Sequence, residues 1–309
     1  MKKALITGGA GFIGSNLADK LVEDGYDVTI VDDLSMGLIS NIPDSKDIHF
    51  YEKSITDYTF MEKILIENNF DYIYLLAAIA SVADTIERPY SSHLVNQEAN
   101  IRILEVIRKN NLKPKRVIFS SSAAVYGNEP TLPKKETSSI SPESPYAIDK
   151  FATERFVINY GKLYGINTAA TRFFNVYGPK QNPHSPYSGV ISIISKSLKS
   201  KETFTIFGDG EQTRDFVYID DVVNALIILS NNDDAIHNVY NVATGHSVTL
   251  NEMINVFEKI SGNHLNLKKD KERVGDIKFS KADVTALIGL GYSSNFDIND
   301  GLKKYWESL

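Results

Sequence analysis

The chain has 309 residues, 42% hydrophobic and 23% charged, which is the composition of a folded globular protein and excludes a disordered or fibrous one. It contains no cysteine, which excludes disulfides and thiolate metal sites, and its formal net charge of −6 provides no general attraction for nucleic acid or an anionic membrane. The longest nearly apolar run, residues 72–83, is too short to cross a bilayer, so we expect a soluble cytoplasmic protein without nucleic-acid or membrane partners.

Short apolar runs alternate with helical stretches through the first 175 residues. Strands are predicted at residues 4–7, 27–31, 48–51, 72–76, 117–121 and 168–173, and helices at 12–24, 91–111 and 145–164. Because the strands are apolar on both faces and helices separate them, the pattern predicts an α/β fold with a doubly wound parallel (Rossmann) sheet. We assign residues 1–175 to this Rossmann domain.

The composition changes after Asn175, where residues 175–189 are rich in proline and glycine and indicate a loop. The later segments predict helices at 190–200 and 220–230, strands at 204–207 and 239–242, a glycine turn at 208–210, and a helix that begins with a capping motif at Thr249. The charges of residues 268–273 alternate in sign and indicate a solvated loop. We assign residues 176–309 to a smaller mixed α/β domain, with parts of 206–245 returning to the Rossmann sheet.

The sequence Thr-Gly-Gly-Ala-Gly-Phe-Ile-Gly at residues 7–14 joins the first strand to the first helix. Gly8, Gly11 and Gly14 lack Cβ atoms, so the backbone can turn sharply and approach a pyrophosphate at the helix N-terminus. Asp32 ends the second strand, where a carboxylate can accept hydrogen bonds from ribose hydroxyls and would repel a 2′-phosphate. The alternative is a tight turn with an unrelated surface aspartate. The glycine motif followed by Asp32 favours NAD over NADP as the cofactor, so we expect residues 1–175 to be an NAD-binding domain.

Tyr146 and Lys150 are four residues apart at the start of a predicted helix and therefore share one helix face. A nearby ammonium and a positively charged nicotinamide both favour the phenolate form of tyrosine, which makes it a usable base. Ser120, Ser121 and Ser122 end the fifth strand, and ligands of a doubly wound sheet bind at the carboxyl ends of its strands. A hydroxyl from this run can therefore reach the same crevice. Surface placement of both helix residues is the alternative.

Seven stretches of the chain resemble the extended short-chain dehydrogenase/reductase superfamily and, within it, the nucleotide-sugar 4-epimerases. They run in the family's order across nearly the whole chain: the glycine motif at 7–14, Val-Asp-Asp-Leu-Ser at 31–35, Ser-Ser-Ser-Ala-Ala-Val-Tyr-Gly at 120–127, Ser-Pro-Tyr-Ala-Ile-Asp-Lys at 144–150, Arg-Phe-Phe-Asn-Val-Tyr-Gly-Pro at 172–179, Gly-Asp-Gly-Glu-Gln-Thr-Arg-Asp-Phe at 208–216 and Arg-Val-Gly-Asp at 273–276.

The resemblance implies roles for individual residues around the cofactor. Ser122 would bond the reacting sugar hydroxyl, Tyr146 would be the acid/base, and Lys150 would hold the nicotinamide ribose. Phe173 and Ser54 depart from the family, which usually has tyrosine and often aspartate at these positions. The expected cofactor-binding residues are Gly8, Gly11, Phe12, Ile13, Gly14, Asp32, Asp33, Ser35, Gly37, Ile55, Leu76, Ala77, Ala78, Asn96, Tyr146, Lys150 and Phe173.

The resemblance also implies a site for a UDP-sugar, which makes residues 176–309 a nucleotide-sugar-binding domain. Arginine forks suit a diphosphate, and an aspartate suits ribose hydroxyls. Ser280 lies where epimerases restricted to non-acetylated sugars carry a tyrosine, so a small serine leaves room for a 2-acetamido group. The expected substrate-binding residues are Ser122, Tyr146, Asn175, Val190, Phe207, Arg214, Arg273, Asp276 and Ser280.

The function predicted from the sequence is NAD-dependent 4-epimerisation of UDP-hexoses through a 4-keto intermediate. The substrates we expect are UDP-N-acetylglucosamine and UDP-N-acetylgalactosamine, with UDP-glucose and UDP-galactose as further candidates. The alternatives are a UDP-glucuronate 4-epimerase, a decarboxylase, a 4,6-dehydratase and a non-catalytic dinucleotide sensor. Ala123 and Ala124 stand where a dehydratase commonly has an Asp-Glu pair, which argues against that alternative.

Two further expectations concern metals and assembly. The six histidines are scattered without a His-x-x-x-His pair, so no metal site is predicted. The resemblance implies a homodimer in which the helices near 91–111 and 146–164 form a four-helix interface. Packing of these helices on their own sheet is the alternative.

Overall fold

Seven parallel strands form the central sheet, and two small sheets lie beside it. The computed structural model describes residues 1–181, 189–272 and 278–309. Its strands are β1 (Lys3–Thr7), β2 (Asp27–Asp32), β3 (Ile48–Glu52), β4 (Tyr72–Leu75), β5 (Arg116–Ser122), β6 (Thr168–Phe173), β7 (Asn175–Tyr177), β8 (Thr203–Phe207), β9 (Thr213–Tyr218), β10 (Val239–Val242), β11 (Ser247–Thr249) and β12 (Asn266–Asp270).

The helices connect these strands on both faces of the central sheet. They are α1 (Phe12–Glu23), α2 (Tyr58–Asn68), α3 (Val82–Glu87), α4 (Pro89–His93), α5 (Ala99–Lys109), α6 (Pro145–Tyr164), α7 (Val190–Ser200), α8 (Ile219–Asn231), α9 (Leu250–Ser261), α10 (Thr285–Ile288) and α11 (Ile298–Glu307). A π-helical segment, Leu94–Glu98, joins α4 to α5. None of the helices in the described ranges is long and apolar enough to cross a membrane.

The central sheet has the strand order β10-β6-β5-β4-β1-β2-β3. All its pairings are parallel, so the carboxyl ends of the strands lie along one edge. The chain runs outward from β1 through β2 to β3 and then crosses back to β4. The direction of winding therefore changes beside β1, and a crevice opens at such a switch point. The predicted doubly wound fold class is confirmed.

Apolar side chains fill the space on both faces of this sheet. One core lies between the sheet, α1 and α8 and includes Leu17, Ile30 and Leu226. The other lies beneath α2, α5 and α6 and includes Leu65 and Ile103. Burial on both faces explains why these strands are nearly continuous apolar runs.

The structure differs from the sequence prediction at several elements. Residues 91–111 form α4, the π-helical segment and α5 rather than one regular helix. Helix α2 and strand β9 were not predicted at all. The expectation of a solvated loop at 268–273 was wrong for residues up to Asp270, because β12 pairs with β8 through its backbone. The side chains of β12 are all exposed, so its sequence carries no apolar pattern that would indicate a strand.

Candidate functional site

The carboxyl ends of the parallel strands open into a cavity of about 640 Å³. This volume lies within the range of small-molecule and cofactor sites. The cavity is lined by the glycine loop, by the segments that follow β2, β4 and β5, and by the start of α6. The expected cofactor residues that line it are Gly8, Gly11, Phe12, Ile13, Gly14, Asp32, Asp33, Ser35, Gly37, Ile55, Leu76, Ala77, Ala78, Tyr146, Lys150 and Phe173.

The glycine loop needs its glycines because other backbone lies against them. Gly8 has φ +74, and a Cβ there would come within 2.8 Å of the Cα of Ala77. A Cβ on Gly14 would lie 2.3 Å from the carbonyl oxygen of Gly8. The loop therefore packs directly on the segment after β4 and leads into the N-terminus of α1. Backbone amides at such a terminus are suited to bind a phosphate.

Asp32 fastens the glycine loop to the end of β2. Its carboxylate accepts hydrogen bonds from the amide of Ala10 at 3.0 Å and from the amide of Leu34 at 2.9 Å. Burial raises the pKa of Asp32, and these amide hydrogen bonds act in the opposite direction. Each carboxylate oxygen keeps a second lone pair. Asp32 thus orders the loop and can still accept a bond from a ligand in the cavity.

Asn96 lies behind the wall of the cavity rather than on it. Its side chain accepts a hydrogen bond from the amide of Ile79 at 2.8 Å and donates one to the carbonyl of Ile79 at 3.1 Å. It therefore supports the segment after β4 from within. Asp57, three residues after Ser54, caps α2 by accepting a bond from the amide of Phe60 at 3.1 Å.

The first two turns of α6 carry the two residues expected to do chemistry. The hydroxyl of Ser144 accepts a hydrogen bond from the amide of Ala147 at 3.2 Å, and Pro145 occupies the first helical position, so the helix starts at a defined residue. Lys150 is buried, and its Nζ donates to the carbonyl oxygen of Ser120 at 2.6 Å. The same Nζ lies 5.9 Å from the centroid of the Tyr146 ring.

The surroundings of Tyr146 and Lys150 shift the pKa values of both side chains so that their uncharged forms are favoured. Burial raises the pKa of Tyr146, while a hydrogen bond with Ser122 acts in the opposite direction. Burial lowers the pKa of Lys150 to about 7, opposed by the charge of Asp149. The lysine therefore titrates close to neutral pH. An ammonium at Lys150 favours the Tyr146 phenolate, so the two proton positions are coupled.

Ser121 is a residue of the cavity wall to which the sequence gave no role of its own beyond membership of the serine run. It is buried, and within the described residues its hydroxyl has no hydrogen-bond partner. A buried hydroxyl without a partner is costly unless a ligand satisfies it. Its place between two other serines of the strand end was the only signal available. Together with the glycine loop and Asp32, this hydroxyl fits a polar dinucleotide such as NAD.

The cavity also contains residues brought there by distant parts of the chain. Lys180 follows β7, and its Nζ donates to the carbonyl of Asn41 at 3.0 Å and pairs with Asp19 at 2.5 Å. Both Lys180 and Asn41 line the cavity. No local motif marks either residue, because their positions depend on the contact between α1 and the segment after β7.

Three of the expected substrate residues, Asn175, Arg214 and Ser280, gather around β9 instead. The side-chain amide of Asn175 donates to the carbonyl of Asp215 at 3.0 Å, and the backbone amide of Ser280 donates to the carbonyl of Thr213 at 3.1 Å. Arg214 lies between these two contacts on the same strand. Val190 begins α7 and Phe207 ends β8. None of these five expected residues lines the 640 Å³ cavity. Arg273 and Asp276 lie outside the described residues.

Asp215 is a second residue that sequence analysis missed. Its buried carboxylate accepts bonds from the amide of Thr244 at 2.9 Å, the amide of Gly245 at 3.0 Å and the amide of Ala282 at 3.3 Å. The segment that contains Ser280 is therefore held against β9 by a carboxylate next to Arg214. Asp215 lies in the sequence Arg-Asp-Phe at residues 214–216, within one of the stretches that resemble the family. Only the fold shows which backbone amides its carboxylate binds.

The chain matches the model of the NAD dependent epimerase/dehydratase family over residues 4–243. It belongs to that family. It is 37% identical to a putative UDP-glucose 4-epimerase of Methanocaldococcus jannaschii, over 97% of this chain and 96% of the relative. The expected membership of the nucleotide-sugar 4-epimerases is confirmed. The predictions that the protein is an isomerase and that its cofactor is NAD are confirmed as well.

Two solved structures are similar to this chain throughout. One is a UDP-glucose 4-epimerase from Thermotoga maritima with UDP-glucose, at a TM-score of 0.93 and 36% identity, covering 99% of this chain and 98% of that one. The other is a UDP-N-acetylglucosamine 4-epimerase from Methanobrevibacter ruminantium in complex with UDP-N-acetylmuramic acid. Its TM-score is 0.93 and its identity 36%, covering 99% of this chain and 97% of that one. The neighbours thus include epimerases named for acetylated and for non-acetylated sugars.

Replacement of Gly14 by alanine tests the close contact in the glycine loop. The added Cβ would meet the carbonyl of Gly8, so the loop must shift, and we expect the affinity for NAD to fall about tenfold or more. Titration of NAD by calorimetry measures this change. Gly289→Ala, in a helical conformation at the end of α10, is the matched control and should bind NAD like the unaltered protein. Equal affinities for all three proteins would contradict this role of the loop.

Proposed function

We propose that this member of the UDP-sugar 4-epimerase family interconverts UDP-N-acetylglucosamine and UDP-N-acetylgalactosamine, and that it also accepts UDP-glucose and UDP-galactose. The observation that carries the 4-epimerase chemistry is the placement of Ser122, Tyr146 and Lys150 together on the wall of the 640 Å³ cavity. The choice of acetylated sugars rests on Ser280.

Glycine-loop amides and Asp32 would hold the dinucleotide along the strand ends. When bound, NAD supplies a reversible two-electron acceptor for the carbon at position 4 of the sugar. Tyr146 Oη takes the proton from the sugar 4-hydroxyl and later returns it. Lys150, as an ammonium, stabilises the phenolate that this requires, and Ser122 orients the hydroxyl by a hydrogen bond. The other epimer would form when the hydride that NAD had accepted is returned to the opposite face of the 4-keto carbon, together with the proton from Tyr146.

Replacing Tyr146 by phenylalanine removes the proposed base while keeping the ring. Because positioned acid/base groups contribute large rate factors, we expect kcat to fall by about a thousandfold and NAD affinity to change by less than about twofold. Conversion of UDP-N-acetylglucosamine followed by NMR measures kcat. Tyr164→Phe, at the exposed end of α6, is the matched control and should retain full activity. A fully active Tyr146→Phe enzyme would refute the proposed mechanism.

Ser280 supports the choice of acetylated sugars. It is partly buried, and its backbone is bonded to β9 beside Arg214, a residue expected to bind the diphosphate. A serine at this position occupies little volume, so a 2-acetamido group can be accommodated where a tyrosine ring would fill the space. The similarity to a UDP-N-acetylglucosamine 4-epimerase is consistent with this choice.

Replacing Ser280 by tyrosine should separate the two substrate classes. The ring would fill the space proposed for the acetamido group, so we expect kcat/KM for UDP-N-acetylglucosamine to fall about tenfold or more and that for UDP-glucose to change by less than about threefold. Ser280→Ala is the control and should retain both activities. Equal losses for both sugars would count against this site for the acetamido group. UDP-glucuronate in the same assay tests the alternative uronate epimerase.

We further propose that the protein forms a homodimer through α3, α4 and α6. These helices pack together and expose apolar side chains, among them Ile86, Tyr90, Ile148 and Leu163. Exposed apolar surface of this kind is typical of a face that a partner covers. The resemblance to the nucleotide-sugar epimerases favours a second copy of the chain as that partner. It implies an interface of residues 91–111 and 146–164, but α5 exposes no large apolar side chain, so the interface proposed here includes α6 and extends to α3 and α4 instead of α5.

Ile148→Glu tests the proposed interface. A charge at its centre should convert dimers to monomers, because an unpaired carboxylate would be buried there. Light scattering coupled to size-exclusion chromatography measures the mass. Ile288→Glu, an exposed position on α10, serves as the control and should leave the mass unchanged. A monomeric unaltered protein would refute the dimer, and a dimeric Ile148→Glu protein would refute this interface.

A further inference from the structure

A buried carboxylate lies beside the catalytic pair without a role in the reaction described above. Asp149 is 5% exposed on α6 and directly precedes Lys150. One of its oxygens, Oδ1, lies 2.8 Å from Nδ1 of His93 on α4. In the part of the chain that the structure describes, its other oxygen, Oδ2, has no hydrogen-bond partner.

This arrangement is unfavourable for folding. A buried carboxylate loses its hydration, and a single hydrogen bond to a partly exposed histidine returns only part of that free energy. A serine or alanine could occupy the same helix position at lower cost. The charge of Asp149 therefore calls for an explanation other than stability.

Lys150 provides that explanation because its ammonium is otherwise poorly supported. Its Nζ donates to two neutral oxygens of Ser120, at 2.6 and 3.3 Å, and lies 4.9 Å from the ring centroid of Phe119. Among the described residues, no carboxylate lies within 4.0 Å of this nitrogen. A negative charge nearby is the remaining means of keeping the lysine protonated inside the protein.

The other carboxylates of α6, and those of the helical segments packed against it, are engaged with cations or exposed. Glu87 on α3 is exposed to solvent. The others are paired as follows: Asp84 with Arg88, Glu98 with Arg102, Glu105 with Arg108, and Glu154 with Arg172. Asp149 faces only a histidine, so its charge is not neutralised by a permanent cation and can act on Lys150.

We propose that Asp149 is a positioning residue that acts through Lys150. Its carboxylate, held by His93, keeps Lys150 protonated up to a higher pH. The Lys150 ammonium therefore supports the Tyr146 phenolate over a wider pH range. This inference rests on the proposed function, since it assigns Asp149 a task only if Lys150 takes part in the reaction. His93 orients and partly solvates the carboxylate from the surface side.

The direction of the pH effect follows from the charges. Burial lowers the pKa of Lys150 to about 7, and Asp149 raises it again. Removing the carboxylate must therefore lower this pKa further. The ammonium, and with it the ability of Tyr146 to act as a base, is then lost at a lower pH. Activity should decline earlier as pH rises, while the acid side should change little.

The test is the pH profile of kcat for epimerisation by the full-length protein with NAD. For Asp149→Asn we expect the alkaline decline to begin about one pH unit lower than in the unaltered enzyme, which is about a tenfold loss on the alkaline side. Near pH 6 kcat should stay within about twofold, and the KM for the UDP-sugar should not change. A merely structural role would lower activity equally at all pH values.

Further variants keep the test decisive. His93→Gln retains a donor to Asp149 and should keep the unaltered profile, whereas His93→Ala removes it and should shift the profile toward that of Asp149→Asn. Glu98→Gln removes a carboxylate from a neighbouring element that does not contact Asp149 and should have no effect. If Asp149→Asn does not fold, Asp149→Ser and His93→Ala decide the question.

The outcomes separate this inference from the proposed function. An unaltered enzyme that turns over no UDP-sugar would refute the function itself. Turnover by the unaltered enzyme, together with a superimposable pH profile for folded Asp149→Asn, would overturn the role of Asp149 alone.

Discussion

The close contact between the glycine loop and the segment after β4 is the constraint on which the rest of the site depends. β1 lies at the switch point of the sheet, so the loop that leaves it must fit between β2 and β4. Gly8 lies so close to Ala77 that no side chain fits between them. That contact brings the N-terminus of α1 to the edge where β5 and β6 also end. The residues proposed to bind the cofactor, which come from separate parts of the chain, meet there for that reason.

The residues proposed to bind the substrate are organised by a strand, β9, rather than by the central sheet. Asp215 uses its carboxylate to hold Thr244, Gly245 and Ala282, while its carbonyl accepts a bond from Asn175. Arg214 and Ser280 are therefore positioned by backbone contacts to one strand. The two halves are connected because β7, which pairs with β9, directly follows β6 of the central sheet. The residues proposed for substrate and for cofactor thus share a continuous backbone framework.

Much of the fold and of the cofactor site could be predicted because their signals are local. Apolar runs of the parallel strands, the glycine spacing and the four-residue interval between Tyr146 and Lys150 are all visible in the sequence. Helix α7 and strand β10 have the predicted bounds for the same reason. Strand β12 could not be predicted, since its exposed charged side chains carry no apolar pattern and its pairing with β8 is a backbone property.

The sequence by itself determined the fold class, the family, the cofactor and the identity of the chemical groups at the start of α6. Only the tertiary structure decided how those groups are charged and held. Burial makes Lys150 a lysine that titrates near neutral pH, and the approach of α4 to α6 brings His93 to Asp149 across 56 residues. Neither effect is visible in a linear pattern, because hydration and charge depend on what packs around a residue and not on its neighbours in sequence.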